Sequence, residues 1–192
     1  MNEIVLDIET QNTFQETGRR DCKLLKLSLL VTYHYNTSEY KVYFEKDLPR
    51  LWNELLSAER IIGYNLNGFD YPVLNNYAPY DLLKLPTLDM MDEVQKSLGF
   101  RIKLDSIAQG SLGAGKSGNG LDAVRFWKEQ KLEELEKYCR QDVKVTKEIY
   151  EYGKQNGILR FDDYLTGEKR EIKVDFNPQD KKSSAGNLTL GL

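Results

Sequence analysis

The chain has 192 residues, of which 40% are hydrophobic and 30% charged, and its formal net charge is −3. This composition predicts one globular domain with its own core, and the short apolar runs exclude a membrane-spanning segment. Two cysteines and one histidine provide no disulfide framework and no zinc pattern, so any metal would be held by oxygen, which favours Mg²⁺ or Mn²⁺. The N-terminal residues carry no basic signal region, so we expect a cytoplasmic protein.

Hydrophobic periodicity predicts the elements of the fold. Strands are expected at residues 3–9, 23–35, 40–47, 60–65 and 85–90, the second and third forming a hairpin. Helices are expected at residues 48–59, 69–78, 91–99, 103–113, 120–130 and 132–157. His34, near the end of the second strand, is expected to be exposed. Antiparallel strands followed by strands joined through helices predict an α/β fold with a mixed sheet.

The chain is expected to have three parts. Residues 1–156 form the α/β domain, and residues 157–177 form a C-terminal β-hairpin around the turn LTGE. Residues 178–192 are polar and small, which predicts a flexible tail.

Two motifs place acids after predicted strands. Asp7 and Glu9 of DIET are two residues apart, so both lie on one face at the end of the first strand. In NLNGFD, Asp70 follows the fourth strand, with Asn65 upstream. Taken alone, the first motif is more often a solvated strand end, and Asp70 is more often a helix N-cap.

A third motif, YCRQD, lies inside the long predicted helix. Tyr138 and Asp142 are four residues apart and therefore share one helix face. Taken alone, such a pair is a half-buried tyrosine beside a surface aspartate.

Together the three motifs resemble the DEDD superfamily of 3′–5′ exonucleases. The forms DxE, N-x-x-x-F-D and Y-x-x-x-D are most similar to the proofreading domain of family B DNA polymerases and to stand-alone bacterial RNase H-like exonuclease domains. Lys137 stands where the histidine branch of the superfamily has its histidine, so the tyrosine branch fits. The resemblance covers about the first 155 residues. It implies an RNase H-like fold, with a mixed five-stranded central sheet flanked by helices.

The resemblance also implies a reaction that uses two divalent ions, Mg²⁺ or Mn²⁺. Asp7 would bridge the ions, Glu9 and Asp142 would complete one of them, and Asp70 would hold the other. Tyr138 would orient the attacking water. The expected activity is hydrolysis at the 3′ end of single-stranded nucleic acid, DNA being favoured and RNA possible.

Substrate contacts are expected from a separate set of residues. These are Thr10, Asn65, Phe69 and Lys116. Phe69 fits base stacking and core packing equally well. Arg19, Arg20 and Lys23 follow the first motif, and solvated loop charges are the favoured interpretation, with phosphate contacts as the alternative. Nothing in the sequence identifies a polymerase or helicase partner.

The net charge does not exclude a nucleic-acid substrate. Without the four candidate acids, the chain has 27 basic and 26 acidic residues. Its charge argues only against a high-affinity nucleic-acid-binding protein. The alternative from another class is a catalytically silent RNase H-like binding or scaffolding module.

A remote alternative is a P-loop NTPase, because Gly110–Ser117 (GSLGAGKS) matches the pattern G-x-x-x-x-G-K-[ST]. A P-loop follows a strand and opens a helix. Here the preceding residues have helical character, and the following GNG would break a helix. We therefore expect a flexible connection between two helices.

Overall fold

The computed structural model describes residues 2–113, 120–163 and 166–177. The predictions for Lys116 and for the tail at 178–192 lie outside these residues. In the described part, no helix combines the length and the apolarity needed to cross a membrane.

The centre of the fold is a five-stranded mixed sheet with the strand order β3-β2-β1-β4-β5. Its strands are β1 (Glu3–Thr10), β2 (Leu27–His34), β3 (Glu39–Tyr43), β4 (Arg60–Gly63) and β5 (Thr87–Asp89). The β1–β2 and β2–β3 pairs are antiparallel, whereas β1–β4 and β4–β5 are parallel. The mixed sheet predicted from the sequence is confirmed, with β5 as its edge strand.

Helices cover both faces of the sheet. They are α1 (Phe14–Thr17), α2 (Leu48–Ser57), α3 (Tyr71–Leu74), α4 (Met90–Leu98), α5 (Leu104–Leu112), α6 (Gly120–Lys128) and α7 (Leu132–Asn156). Alternating residues of each strand point to opposite faces, so the sheet separates two hydrophobic cores. Ile4, Leu6 and Ile8 pack with α2 and α3, whereas Val5 packs with α4 to α7.

The C-terminal hairpin consists of β6 (Ile158–Asp162) and β7 (Lys169–Lys173). Leu159, Phe161 and Ile172 are buried in the core that contains α5 and α7. The hairpin is therefore packed onto the rest of the molecule. How the chain divides into domains stays a prediction.

Two local predictions are wrong. The second strand does not begin at residue 23, because Asp21 caps a 3₁₀ turn at Cys22–Leu24 and delays the strand to Leu27. His34 is buried rather than exposed: its Nε2 lies 2.8 Å from Thr32 Oγ1 and 3.3 Å from Glu54 Oε2 of α2. Burial lowers the pKa of His34, and the nearby Lys41 acts in the same direction.

The first part of the apparent P-loop is helical. Gly110 lies inside α5, and a Cβ added there would be 2.4 Å from the backbone oxygen of Arg160. This glycine lets α5 approach β6 closely. The strand that must precede a P-loop is replaced by this helix, which removes the basis for a nucleotide site of that type. The residues 114–119 that follow are outside the described ranges.

Candidate active site

The site lies where the parallel strands β1, β4 and β5 end. In α/β sheets this edge collects the side chains that follow each strand. Asp7 and Glu9 close β1 and face α7, on the same side of the sheet as Val5. One oxygen of Asp7, one oxygen of Glu9 and the sulfur of Cys139 lie within 4.8 Å of one another. The first motif therefore presents two carboxylates together.

Asp70 reaches the same edge from a π-helical turn, Leu66–Asp70, that follows β4. Asn65 starts this turn in the left-handed region (φ 72°), and Gly68 passes so close that a Cβ would lie 2.4 Å from Asn65 Oδ1. Asp70 has helical backbone angles, and its side chain makes no capping hydrogen bond to α3. The N-cap interpretation is therefore wrong, and the carboxylate is directed to the strand edge.

Burial raises the pKa of the Asp70 carboxyl well above its usual range. The charge of Asp7 and then that of Asp89 act in the same direction, while backbone hydrogen bonds, including one from Ile8, oppose the shift. Asp70 is only 3% exposed. Its carboxyl therefore lies against the end of β1, where Asp7 and Ile8 are neighbours in sequence.

Asp89 is a further acid at this edge, and it is buried, but none of the three sequence motifs selects it. Its Oδ1 accepts from the backbone amides of Asn65 (2.7 Å) and Met91 (3.1 Å), and its Oδ2 accepts from the amide of Asn67 (2.9 Å). Asp89 thus caps α4 and also holds the turn that carries Asp70 through two backbone hydrogen bonds. In the sequence, Asp89 is only an aspartate that precedes a predicted helix. That position indicates the N-cap of α4 but not the contacts with the turn.

The third motif lies on the buried face of α7. Asp142 is 2% exposed and Tyr138 is 8% exposed, so the interpretation as a half-buried tyrosine beside a surface aspartate is wrong. The Tyr138 ring makes an edge contact with Phe126 of α6, with centroids 6.5 Å apart.

Cys139, next to Tyr138, contacts the end of β1. Its thiol donates to the backbone oxygen of Asp7 (3.6 Å) and to Asp7 Oδ2 (3.7 Å). Burial, followed by the charges of Asp7, Glu9 and Asp142, raises the pKa of this thiol well above its usual range. In this structure Cys139 therefore acts as a hydrogen-bond donor to Asp7.

These elements enclose a cleft of about 330 Å³, here called the acidic cleft. Its lining contains all four candidate acids and three of the predicted substrate contacts. These residues are Asp7, Glu9, Asp70, Asp142, Thr10, Asn65 and Phe69. The sequence therefore predicted seven residues that the fold brings into one cavity. Tyr138 is outside this lining, one helical turn before Asp142 on α7.

Apolar residues that were not predicted form part of the same lining. Phe14 of α1 packs edge-on against Phe69, with ring centroids 6.3 Å apart, and Leu121 and Val124 come from α6. Leu121 is 61% exposed. The acidic cleft thus combines carboxylates with apolar side chains.

The acidic cleft fits divalent cations. All four candidate ligands provide carboxylate oxygen, the donor that Mg²⁺ and Mn²⁺ prefer. Burial, followed by the charges of Asp7 and Asp89, raises the pKa of the Asp70 carboxyl, and bound cations would offset the repulsion between these charges.

Comparison with known proteins agrees with this architecture. A family model of the RNase H superfamily matches residues 4–153. Among solved structures, the family B DNA polymerase of the hyperthermophilic archaeon Pyrobaculum calidifontis superposes with a TM-score of 0.61 and 18% identity. The match covers 80% of this chain but only 24% of the polymerase. Comparison with curated proteins gave no match. Because the family model spans most of the chain, this protein belongs to the RNase H superfamily.

Proposed function

We propose that this protein is a metal-dependent 3′–5′ exonuclease that acts on single-stranded nucleic acid, with DNA favoured over RNA. The observation that supports this best is the meeting of Asp7, Glu9, Asp70 and Asp142 in one cleft. Three distant segments supply these acids. Membership in the RNase H superfamily supports nuclease chemistry, and the motif spacing supports the tyrosine exonuclease branch.

The carboxylates would serve as ligands. Asp7, which is close to Glu9 and acts on the charge of Asp70, would bridge two ions, with Glu9 and Asp142 completing one and Asp70 holding the second. When bound, two such ions would acidify the attacking water and stabilise the leaving oxygen. The Cys139 thiol, which donates to Asp7, restricts the orientation of the bridging carboxylate.

Tyr138 would position the attacking water. A tyrosine hydroxyl can donate or accept a hydrogen bond. The contact with Phe126 holds the ring in place. This role is orientation rather than full general-base catalysis.

The rest of the acidic cleft would bind the terminal nucleotide. Phe69 and Phe14 offer aromatic surface on which a base can stack, and Leu121 extends that surface. Asn65 offers a side-chain amide for hydrogen bonding. The Thr10 hydroxyl already donates to the Asn12 backbone oxygen (2.9 Å), so it can only accept from a substrate. Lys116 remains a predicted phosphate contact.

The test is degradation of 5′-labelled single-stranded DNA and RNA with Mg²⁺, Mn²⁺ or excess chelator. We expect a ladder that shortens one nucleotide at a time from the 3′ end with metal, and intact strand with chelator. Degradation that persists in chelator, or cleavage that starts inside the strand, would overturn the proposal. Binding of the strand without hydrolysis under any metal would favour the silent binding module.

Variants on α7 separate the proposed roles. Asp142→Asn should reduce turnover to background, because one metal loses a ligand, whereas Glu133→Gln, an exposed change on the same helix, should leave turnover unchanged. Tyr138→Phe should reduce turnover by about 10- to 10³-fold and preserve metal affinity measured by calorimetry. Parental turnover in both Asp142→Asn and Tyr138→Phe would remove the third motif from the site.

A further inference from the structure

An eight-residue segment beside the acidic cleft is positively charged, although the chain as a whole is negative. Residues 19–26, here called the basic segment, contain four exposed cations: Arg19, Arg20, Lys23 and Lys26. The chain as a whole carries −3. The only acid of the segment, Asp21, accepts from the Lys23 backbone amide (3.0 Å), so its carboxylate caps a 3₁₀ turn.

Among the described residues, the four cations have no partner. Within residues 2–113, 120–163 and 166–177, none of their side chains makes an ion pair or a hydrogen bond. The cations of α6, which also borders the acidic cleft, differ in this respect. Arg125 pairs with Asp122, and Lys128 pairs with Glu16 of α1. The basic segment therefore keeps its charge available for a ligand.

The backbone of the basic segment is fixed to the walls of the acidic cleft. Asn12, which lines the cleft, donates from Nδ2 to the Leu24 oxygen (3.2 Å) and accepts at Oδ1 from the Lys26 amide (2.9 Å). Leu25 itself is part of the cleft lining.

Two further contacts join the basic segment to the turn and helix around Asp70. The Cys22 thiol donates to the Gly68 oxygen (3.6 Å), and Asn76 Nδ2 donates to the Lys23 oxygen (3.0 Å). The backbone that carries Lys23 and Lys26 is thus fixed at the margin of the cleft, and Arg19 and Arg20 precede it in the same segment.

We infer that the basic segment binds the phosphate backbone of the single strand whose 3′ end occupies the acidic cleft. The inference rests on the proposed function. Four clustered acids repel a polyanion until metals bind, and cations beside the cleft offset that repulsion for the nucleotides that have not yet entered it. These cations break no ion pair when they bind phosphate. Each phosphate contact therefore keeps the full gain in affinity that comes from the release of counterions from the nucleic acid. The exposure of these residues agrees with the interpretation that the sequence favours, solvated loop charge, and the inference assigns them the alternative, phosphate contacts, when a strand is bound.

The test compares two variants of the full chain, each of which loses four exposed cations. The first carries Arg19→Ala, Arg20→Ala, Lys23→Ala and Lys26→Ala. The control carries Lys46→Ala, Lys84→Ala, Lys169→Ala and Lys173→Ala, which are also exposed and lie outside the acidic cleft. Both variants should melt at the parental temperature.

Binding is measured by fluorescence anisotropy of a labelled single-stranded oligonucleotide, in an Asp142→Asn background with Mg²⁺, at several salt concentrations. Each phosphate contact to a single strand contributes about 0.7 to the slope of log affinity against log salt. We expect the basic-segment variant to lose at least two contacts, about 1.4 in slope, and at least tenfold in affinity at low salt. The control should keep the parental slope, and equal losses in both variants would overturn the inference.

Hydrolysis separates this inference from the proposed function. With otherwise parental chains, the basic-segment change should raise KM for an oligonucleotide at least tenfold and leave kcat unchanged. Hydrolysis of the p-nitrophenyl ester of thymidine 5′-monophosphate, which has no neighbouring phosphates, should be unaffected. If no chain hydrolyses either substrate, the proposed function fails, and the salt slope still decides the inference. If the basic-segment variant loses binding to poly-glutamate but binds the oligonucleotide like the parent, the inference is overturned in favour of an acidic protein partner.

Discussion

Asp89 provides a sharp test of how the site is held together, because one carboxylate supports two elements. In Asp89→Asn, the side-chain oxygen can still accept from Asn65 and Met91. The new amide nitrogen would then face the Asn67 amide, donor against donor, in place of a 2.9 Å hydrogen bond. A buried donor left unsatisfied costs about 1–3 kcal/mol. We expect the free energy of unfolding to fall by about 2 kcal/mol, which for a chain of this size lowers Tm by about 4–8 °C.

The effect on the site should exceed the effect on stability. Loss of a group that orients a metal ligand typically reduces metal affinity or activity by about 10- to 100-fold. We expect a reduction of that size in Mn²⁺ affinity, measured by calorimetry, and in turnover of a single strand. The substitution would act by displacing Asp70, because the Asn67 amide belongs to the turn that ends at Asp70.

Asp92→Asn is the matched control. Asp92 is near Asp89 and carries the same charge, but it contacts the turn only through the side chain of Asn67 (2.7 Å). Its change should reduce Mn²⁺ affinity less than about threefold, the effect of a nearby charge screened by solvent. If Asp89→Asn lowers Tm but keeps parental metal affinity and turnover, Asp89 only caps α4. Equal effects of the two variants would show that charge, and not the amide contacts, matters.

Three other predictions concern the scaffold. Folding lowers the pKa of His34 from 6.5, so the unfolded chain binds more protons than the folded chain. The free energy of unfolding should therefore fall as the pH drops below about 6.5. His34→Gln should remove this difference between urea unfolding at pH 7.5 and at pH 5.5. Arg60→Met leaves the buried Glu3 without its guanidinium partner (2.9 Å) and should cost about 3–5 kcal/mol by urea unfolding, with partial recovery when Glu3→Gln is added. Gly110→Ala should cost about 1–3 kcal/mol, because its Cβ would overlap the Arg160 backbone, and calorimetry should show no ATP binding before or after the change.

Hydrophobic periodicity was sufficient to predict the architecture, because the pattern of apolar residues in each strand and helix indicates which of its faces is buried. The early hairpin, followed by strands that are joined through helices, predicts a mixed sheet without any knowledge of long-range contacts. The acids Asp7, Glu9, Asp70 and Asp142 were found because three motifs repeat a known spacing, and not because any one of them is distinctive.

The features that could not be predicted from the sequence depend on contacts between distant segments. His34 is buried because Glu54 of α2 and Thr32 satisfy its ring, and nothing near residue 34 reveals that helix. Asp89 looks like an ordinary helix cap until β5 is placed beside β4, where its second oxygen meets the Asn67 amide. Phe14 lies within a polar connection, and only the fold brings it against Phe69.

The order of the acids along the chain has a consequence for protein synthesis. Asp7 and Glu9 leave the ribosome first, whereas Asp142 arrives with α7, the last long helix of the fold. A nascent or prematurely terminated chain that lacks α7 has three of the four acids and lacks the face that carries Tyr138. Under the proposed assignment, nuclease activity cannot arise until α7 has docked on the sheet. The nucleic acid around a translating ribosome is therefore not exposed to a partly made enzyme.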